Sequence, residues 1–340
     1  MQYLYTLTST SNDLYYEQFL LSSSSLKLLL PNASVILLCD SKTKETLVDN
    51  RREYERLVTK TITVEAPGDM NQIEVSRWVR TSMRRLVDGD FLFLDGDTIV
   101  TDDLSSIFSM NIKFGACLDK HSLINNHSKK KNIIEMDKKL GFNSHLSNRH
   151  YNGGVLFCAD TPEVRRLFDR WHELWLFSRS KNIQRDQPSL NMAIHENLSL
   201  FTELDGTWNC QISHNGLPYL SSSKIIHYFA TDLVMNTSPF ILASDNIFKE
   251  IKNTGVIPDD VLELLKNPRA AFAPESRIIA GEDMLSVINS NYFESVFFIR
   301  KKLPWLFNFI DRLCSFAKKI VKFFMIKTGR KKDGGIKLYN

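Results

Sequence analysis

Residues 91–97 join an apolar, strand-like run to two carboxylates, and their chemistry is the most informative in the sequence. The segment reads Phe91-Leu92-Phe93-Leu94-Asp95-Gly96-Asp97. Side chains at positions i and i+2 of an extended chain point to the same side, so Asp95 and Asp97 can converge on one ligand, with Gly96 leaving room for it. Carboxylate oxygens suit Mg²⁺ or Mn²⁺, which usually keep one or two protein carboxylates together with substrate phosphates and water. The pattern predicts a divalent-cation site facing a diphosphate; a solvated turn that closes the strand is the alternative.

Composition is that of a globular protein with one large domain plus appendages, or with two domains. The 340 residues are 43% hydrophobic and 24% charged, and 43 Lys and Arg against 39 Asp and Glu give a net charge of +4. Because the basic excess lies near the C-terminus, we expect no nucleic-acid partner. Five widely spaced cysteines without a C-x-x-C pair favour a reducing cytosol over a disulfide framework or zinc site. With no signal-peptide pattern and no apolar run of about 18 residues, we expect a cytoplasmic protein, soluble or peripheral to a membrane.

Apolar strands alternate with helical patterns in the first hundred residues. We predict strands at 3–8, 34–39, 61–64 and 91–94, and helices at 13–30, near 43–58 and at 75–86. Such alternation favours a mostly parallel α/β sheet, in which ligands bind beyond the carboxyl ends of the strands. Asp95 and Asp97 follow such an end.

The second half continues with strands at 112–118, 151–157 and 224–229. A basic polar segment, 127–139, and the loop rich in Asn, Ser and His that follows it up to His150 are a candidate lid. Thr161-Pro162 predicts the start of a helix with an apolar core stripe, and Asp186-Gln187-Pro188 the start of a shorter one. Helices and loops are expected over 241–290.

Four pieces therefore follow one another in order: the Asp-Gly-Asp strand end, Tyr-Asn-Gly-Gly at 151–154, Asp-Gln at 186–187, and Ile-Ile-His at 225–227. This order resembles that of the family 8 glycosyltransferases, retaining enzymes of the GT-A fold, over roughly residues 1–235. The resemblance implies a GT-A fold, a Rossmann-like, mostly parallel α/β sheet flanked by helices. We accordingly predict a catalytic domain at 1–240, a helical and loop extension at 241–292, and a basic amphipathic tail at 293–340.

The resemblance also implies site residues. Asp95, Asp97 and His227 would hold Mn²⁺, or Mg²⁺, on a UDP-sugar, a reasonable ligand set for these ions. Catalytic roles would fall to Asn152, Asp186 and Gln187, and donor binding to Thr6, Thr8, Arg77, Asp95, Gly96, Asp119 and Gly153, with Tyr15 as an alternative at the uridine.

Several of these assignments have a structural alternative. His227 could be an ordinary strand histidine, and Asn152 could mark a β-bulge. Asp186 could cap the helix that follows it. Arg77 shares its helix side with Arg80 and Arg84, as in a solvated basic face.

One family motif is missing. In the family, the metal histidine is usually the first residue of a His-x-x-Gly-x-x-Lys-Pro-Trp motif. This chain reads His227-Tyr228-Phe229-Ala230-Thr231-Asp232 and has no later Lys-Pro-Trp. The phosphate-binding lysine is thus unassigned. Arg77, Lys224 or the lysines at 129–131 are candidates, and loss of activity is the other interpretation.

The C-terminal tail is basic and amphipathic. From Arg300 to Lys332 there are eleven Lys or Arg and one acidic residue, Asp311, and apolar residues recur at helical spacing. This pattern is typical of a helix lying in the plane of an anionic membrane; a helix packed on the domain is the alternative.

We therefore predict a metal-dependent retaining glycosyltransferase that moves galactose or glucose from a UDP-hexose donor to a saccharide or glycolipid acceptor. The predicted setting is bacterial surface polysaccharide or lipo-oligosaccharide synthesis at the cytoplasmic face of the inner membrane. The alternatives are an inverting GT-A transferase or nucleotidyltransferase, and a non-catalytic nucleotide-sugar-binding protein at the membrane surface.

Overall fold

The computed structural model describes residues 1–229, 240–272 and 290–327, with side chains up to residue 317 in the last range. Residues Met1–Ser276 form one compact unit and Arg277–Asn340 a second. The division of the chain into three functional parts remains a prediction.

A seven-stranded sheet forms the centre of the first unit, in the order β3-β2-β1-β4-β7-β6-β8. Its strands are β1 Gln2–Leu7, β2 Ser34–Asp40, β3 Lys60–Val64, β4 Phe91–Leu94, β6 Phe114–Leu118, β7 Tyr151–Cys158 and β8 Phe201–Glu203. The sheet is mostly parallel, as predicted, but β7 runs antiparallel to both β4 and β6. The beginning of β7 therefore lies beside the end of β4, where the two carboxylates follow.

A small sheet of β5 Thr98–Val100, β9 Cys210–Gln211 and β10 Ile225–His227 stands next to the large one. Strand β10 lies in the middle, and its register places His227 opposite Thr98. The sequence predicted β10 but neither β5 nor β9, which are too short to show a period of two.

Helices and 3₁₀ turns connect the strands. The helices of this unit are α1 Tyr15–Leu29, α2 Ser41–Glu45, α3 Gln72–Thr81, α4 Met83–Leu86, α5 Lys130–Leu140, α6 Pro162–Ser180, α7 Gln187–Glu196, α8 Asp245–Thr254 and α9 Asp259–Lys266.

The single polar helix predicted near 43–58 is wrong. Helix α2 ends at Glu45, and two 3₁₀ turns follow at Asp49–Arg51 and Glu53–Arg56. Asp49 has a left-handed backbone, with φ of 49°, which interrupts helical geometry. The turn allows Arg51 to reach inward and donate to the hydroxyls of Ser9 and Thr46.

Two apolar cores cover the two faces of the large sheet. Alternate residues of β1 enter different cores, with Tyr3 and Tyr5 on one side and Leu4 on the other. The stripe predicted on α6 is buried as expected, namely Val164, Leu167, Phe168, Trp171, Leu174 and Trp175. Helices α8 and α9 contribute Phe248 and Val261, among others, to the core that contains α1.

The second unit contains α10 Asn291–Lys302 and α11 Pro304–Lys327. Leu303 separates the two helices, and Pro304 begins the second, where its missing N–H is not needed. None of the described helices combines the length and the hydropathy that a membrane-spanning segment needs.

Candidate active site

A cavity of about 620 Å³ lies at the carboxyl end of β1 and β4. All of the site residues predicted from the sequence line it: Thr6, Thr8, Arg77, Asp95, Gly96, Asp97, Asp119, Asn152, Gly153, Asp186, Gln187 and His227. Tyr15 lines it as well. Elements separated by more than two hundred residues in the chain thus meet at one place, as expected for the switch region of an α/β sheet.

Three potential metal ligands converge at the end of β4. One ligand atom from each of Asp95, Asp97 and His227 lies within 4.8 Å of the others. The N–H of Asp95 donates to the carbonyl of Gly154 on β7 at 2.8 Å, and pairing of β10 with β5 brings His227 to the same corner. Nε2 of His227 is 3.2 Å from Oδ1 of Asp97. Two carboxylates and an imidazole fit Mn²⁺ or Mg²⁺ in the open coordination typical of nucleotide sites.

The electrostatics of this corner favour a cation. Burial raises the pKa of Asp95, and the neighbouring Asp97 raises it further, while Arg80 opposes the shift. Burial alone would lower the pKa of His227, but the carboxylates of Asp97 and Asp95 outweigh it and leave the pKa raised. The pKa values of Asp95 and His227 are thus both raised, and an additional positive charge between the two side chains would lower them again.

Two arginines of α3 join this corner to Asp186. Nε of Arg77 is 3.2 Å from Oδ1 of Asp186. Arg80 is 8% exposed. Its Nη2 lies 3.0 Å from both carboxylate oxygens of Asp95 and donates to the carbonyl of Gly153. Its Nε is 3.7 Å from the carboxylate of Asp186. The sequence selected Arg77, yet Arg80 makes the more extensive contacts.

These contacts decide two of the alternatives. The carboxylate of Asp186 makes no capping hydrogen bond to α7 and is held by the arginines instead. The solvated basic face is wrong, because Arg84 is fully buried and donates to the carbonyls of Gly89 and Cys158. Burial of Arg84 is compatible with its charge since carbonyl oxygens and Asp160, at 3.7 Å, surround it.

Asn152 is the centre of a buried polar network. Its Oδ1 accepts from the N–H of Gly154 at 2.8 Å and from Nδ2 of Asn209 at 3.0 Å, while its Nδ2 donates to Oδ1 of Asp119 at 2.9 Å. The other oxygen of Asp119 lies 3.0 Å from Nε2 of His127. Burial raises the pKa of Asp119, but hydrogen bonds from His127 and Asn152 and the nearby His150 outweigh it, and the pKa is lowered overall.

Strand β7 is irregular at this point. Its register against β6 shifts between Ala116 and Leu118, so the β-bulge alternative for Asn152 coexists with a place in the cavity. A Cβ on Gly154 would collide with Cε1 of His227. Glycine is therefore required where the ring of His227 packs on the backbone of β7.

The remaining predicted residues lie around this network. Nε2 of Gln187, in the first turn of α7, donates to the carbonyl of Tyr151 at 3.1 Å. Thr6 lies in β1 and Thr8 directly follows that strand, and both line the cavity. Oγ1 of Thr8 is buried with no hydrogen-bond partner among the described residues.

The structure separates the candidates for the missing phosphate lysine. Arg77 and Lys129 line the cavity, whereas Lys224 donates to the carbonyl of Asp103 at 3.1 Å and lies over the ring of Trp208. Lys120, which the sequence analysis did not consider, also lines the cavity. The candidate lid segment contains α5, whose residues Asn132, Ile133 and Met136 line the same cavity.

Sequence reasoning missed Asn209 and His127. Neither belongs to a motif visible in a single sequence, and a buried asparagine or histidine is recognisable only from its partners. Arg80 was within reach, because it lies one helical turn beyond Arg77, on the same side of α3.

Comparison with known families agrees with this geometry. The model of the family "Glycosyl transferase family 8" matches residues 89–232, a region that begins just before β4 and contains the three potential metal ligands. Residues 89–232 thus resemble a family 8 glycosyltransferase domain.

Solved structures share the fold at low sequence identity. The WbbM bifunctional glycosyltransferase is 14% identical with a TM-score of 0.52, over 78% of this chain and 51% of that one. The galactosyltransferase LgtC, solved with donor and acceptor sugar analogs, is 16% identical with a TM-score of 0.49, over 77% of this chain and 99% of that one. GlyE of Streptococcus pneumoniae TIGR4 is 15% identical with a TM-score of 0.45, over 82% of this chain and 66% of that one. The likeness to WbbM supports the GT-A fold. No curated protein matches the sequence.

Proposed function

We propose that the protein is a metal-dependent retaining glycosyltransferase that moves galactose or glucose from a UDP-sugar to a saccharide or lipid-linked acceptor. The observation that carries the proposal is the convergence of Asp95, Asp97 and His227 within 4.8 Å in the same cavity as Asp186, Gln187 and other predicted donor-binding residues. The setting we propose is bacterial surface polysaccharide or lipo-oligosaccharide synthesis.

The residues divide the work along the cavity. A bound divalent cation would neutralise the charge that develops on the diphosphate leaving group, as a Lewis acid and template. Asp95, Asp97 and His227 would hold this cation at the diphosphate. The uridine would lie toward Thr6 and Thr8, and the hexose beside Asp186, where Arg77 and Arg80 fix the carboxylate for sugar hydroxyls.

The contacts of Gln187 favour attack from the same face as the leaving group. Its amide nitrogen donates to Tyr151, so the carbonyl oxygen is the end available to a sugar. An amide is a poor nucleophile, but its oxygen can stabilise an oxocarbenium-like centre electrostatically. The retention that we propose would then need no covalent glycosyl-enzyme.

The test is release of UDP from a panel of UDP-sugars by purified protein with Mn²⁺. We expect slow hydrolysis of one UDP-hexose that disappears with EDTA and falls at least about a hundredfold in Asp97→Asn, because one ligand of the cation loses its charge. Asp102→Asn is the matched control, since Asp102 pairs with Arg269 and does not line the cavity.

Two outcomes would contradict the proposal. A product of inverted anomeric configuration, assigned by NMR, would replace retention with an inverting mechanism. Binding of the donor without turnover by any sugar or acceptor would favour the non-catalytic interpretation.

We also propose that the C-terminal tail attaches the enzyme to the cytoplasmic face of the inner membrane, beside a lipid-linked acceptor. Among the described residues of the second unit, Trp305, Phe309, Leu313 and Phe316 of α11 are exposed. Basic residues near an anionic surface contribute about 1 kcal/mol each. We expect the full chain to sediment with vesicles containing phosphatidylglycerol and to be released by high salt, whereas a chain ending at residue 302 stays in solution. Equal sedimentation of both chains would contradict the proposed attachment.

A further inference from the structure

Asn209 is a fully buried residue that the functional assignments above do not use. It lies in a 3₁₀ turn, Gly206–Asn209, that precedes β9. Its side chain makes one hydrogen bond to the ring of His227, at 3.0 Å from Nδ1, and one to the side chain of Asn152, at 3.0 Å from Oδ1. One amide therefore links a proposed metal ligand, His227, to Asn152, which was predicted as a catalytic residue beside the donor sugar.

The backbone of Gly154 fixes the donor and the acceptor of each hydrogen bond in the series that runs from Gly154 through Asn152 and Asn209 to His227. The backbone N–H of Gly154 can only donate, so the atom of Asn152 that it meets must be the oxygen. The amide nitrogen of Asn152 then faces Asp119, whose carboxylate can only accept when ionised. The lowered pKa of Asp119 is consistent with that charge state.

The same logic continues to the histidine. Because the oxygen of Asn152 accepts, Asn209 must present its NH₂ group to it and its own oxygen to His227. Nδ1 of His227 must consequently carry a proton. The other ring nitrogen, Nε2, points to Asp97 at 3.2 Å and is the one available as a lone-pair donor. Asn209 thus selects the tautomer in which the imidazole can ligate a metal.

We infer that Asn209 is a positioning residue that couples the metal site to the donor-sugar site. The inference rests on the proposed function for the metal. Asn209 fixes the tautomer and ring orientation of His227 through its oxygen, and it holds the oxygen of Asn152 through its nitrogen. The amide oxygen of Asn209 acts on the metal site and its amide nitrogen acts on the donor-sugar site. We therefore expect that a substitution which keeps one of these hydrogen bonds and removes the other changes only one of the two affinities.

Two variants separate the ends. Asn209→Leu removes both hydrogen bonds, and we expect Mn²⁺ affinity, measured without donor by the EPR signal of the free ion, to fall about 10- to 100-fold. Asn209→Asp keeps an acceptor for Nδ1 but has no NH₂ for Asn152. We expect its Mn²⁺ affinity to stay within about threefold of wild type, while the KM for the donor rises at least tenfold.

Asn197→Leu is the matched control, because Asn197 is partly buried, donates to Ala193 within its own helix end and does not line the cavity. The protein with this substitution should bind Mn²⁺ and donor as wild type does. A merely structural role for Asn209 would lower the melting temperature without separating the two affinities.

A metal-free measurement keeps this inference distinct from the proposed function. In ¹⁵N-histidine NMR spectra recorded where the ring is neutral, with His227 assigned through His227→Gln, wild type and Asn209→Asp should show Nδ1–H and Asn209→Leu the Nε2–H tautomer. A wild-type ring protonated at Nε2, or folded Asn209→Leu with unchanged tautomer, would overturn the inference whether or not Mn²⁺ binds. Failure of wild type to bind Mn²⁺, with the expected spectra, would count against the proposed metal site alone.

Discussion

Some residues of the cavity can be identified from the sequence, whereas the importance of others follows only from the contacts that the structure shows. Asp95, Asp97 and His227 carry recognisable chemistry at recognisable positions, and the structure brings them within 4.8 Å. Arg80 contacts Asp95 and Asp186, but in the sequence it is one of several arginines on a helix. A single sequence gives residue types and local spacing; it does not give the partner that turns a basic face into a buried ion pair.

The packing of His227 on β7 gives a prediction at this scale. A Cβ at position 154 would lie 2.8 Å from Nδ1 of His227 and 3.0 Å from Oδ1 of Asn152. We expect Gly154→Ala to displace the ring and lower Mn²⁺ affinity at least tenfold, measured by EPR, with the circular dichroism spectrum unchanged. Gly68→Ala is the control, since a Cβ there meets nothing within 4 Å. Wild-type Mn²⁺ affinity in folded Gly154→Ala protein would show that the ring does not need this approach.

At the scale of elements, the long, strongly patterned pieces were predictable. Helix α6 shows its capping Thr161, its Pro162 and an apolar stripe, all of which the structure confirms. The segment after β2 was not predictable, because Asp49 adopts a left-handed backbone and Arg51 is drawn inward by Ser9. Strands β5 and β9 are fixed by pairing with β10, a contact between distant parts of the chain. Tertiary contacts of this kind override local propensity.

Helix α4 offers a test of buried against exposed charge. Arg84 is fully buried, donates to the carbonyls of Gly89 and Cys158, and lies over the ring of Phe91. We expect Arg84→Met to lower the free energy of unfolding by about 3 kcal/mol, because the buried acceptors lose their donor.

Arg85, the neighbour of Arg84 in the sequence, forms a half-exposed ion pair with Asp169. We expect Arg85→Met to lower the free energy of unfolding by less than about 1 kcal/mol. Urea unfolding at pH 7 measures both changes. Equal losses in the two variants would mean that burial does not distinguish these arginines.

At the scale of the whole molecule, the first compact unit extends beyond the region that the family comparison matches. The family match ends at residue 232, yet Phe248, Ile251 and Val261 are buried in the core that contains α1. Lys252 also donates to the carbonyl of Asp13 at 3.0 Å. Helices α8 and α9 thus pack into the core of the first compact unit.

Two truncations test this view. A chain ending at Ser276 keeps both helices, and we expect it to unfold cooperatively in urea. A chain ending at residue 240 loses the apolar side chains of α8 and α9, at about 1.5–3 kcal/mol for each fully buried one. Against a net stability of roughly 5–15 kcal/mol for a domain, we expect this shorter chain to be unfolded or aggregated. Cooperative unfolding of the shorter chain, with wild-type stability, would contradict the structural role of the helices.

Pairing of β5 with β10 also affects the order in which the protein is completed during synthesis. Thr98 and His227 are opposite each other in the small sheet, although more than a third of the chain lies between them. While the ribosome has released only the first strands, the carboxylates of Asp95 and Asp97 are present without their imidazole. Contacts of such high contact order form late, so the nascent chain can build its parallel sheet first and brings its three potential metal ligands together only after β10 has emerged.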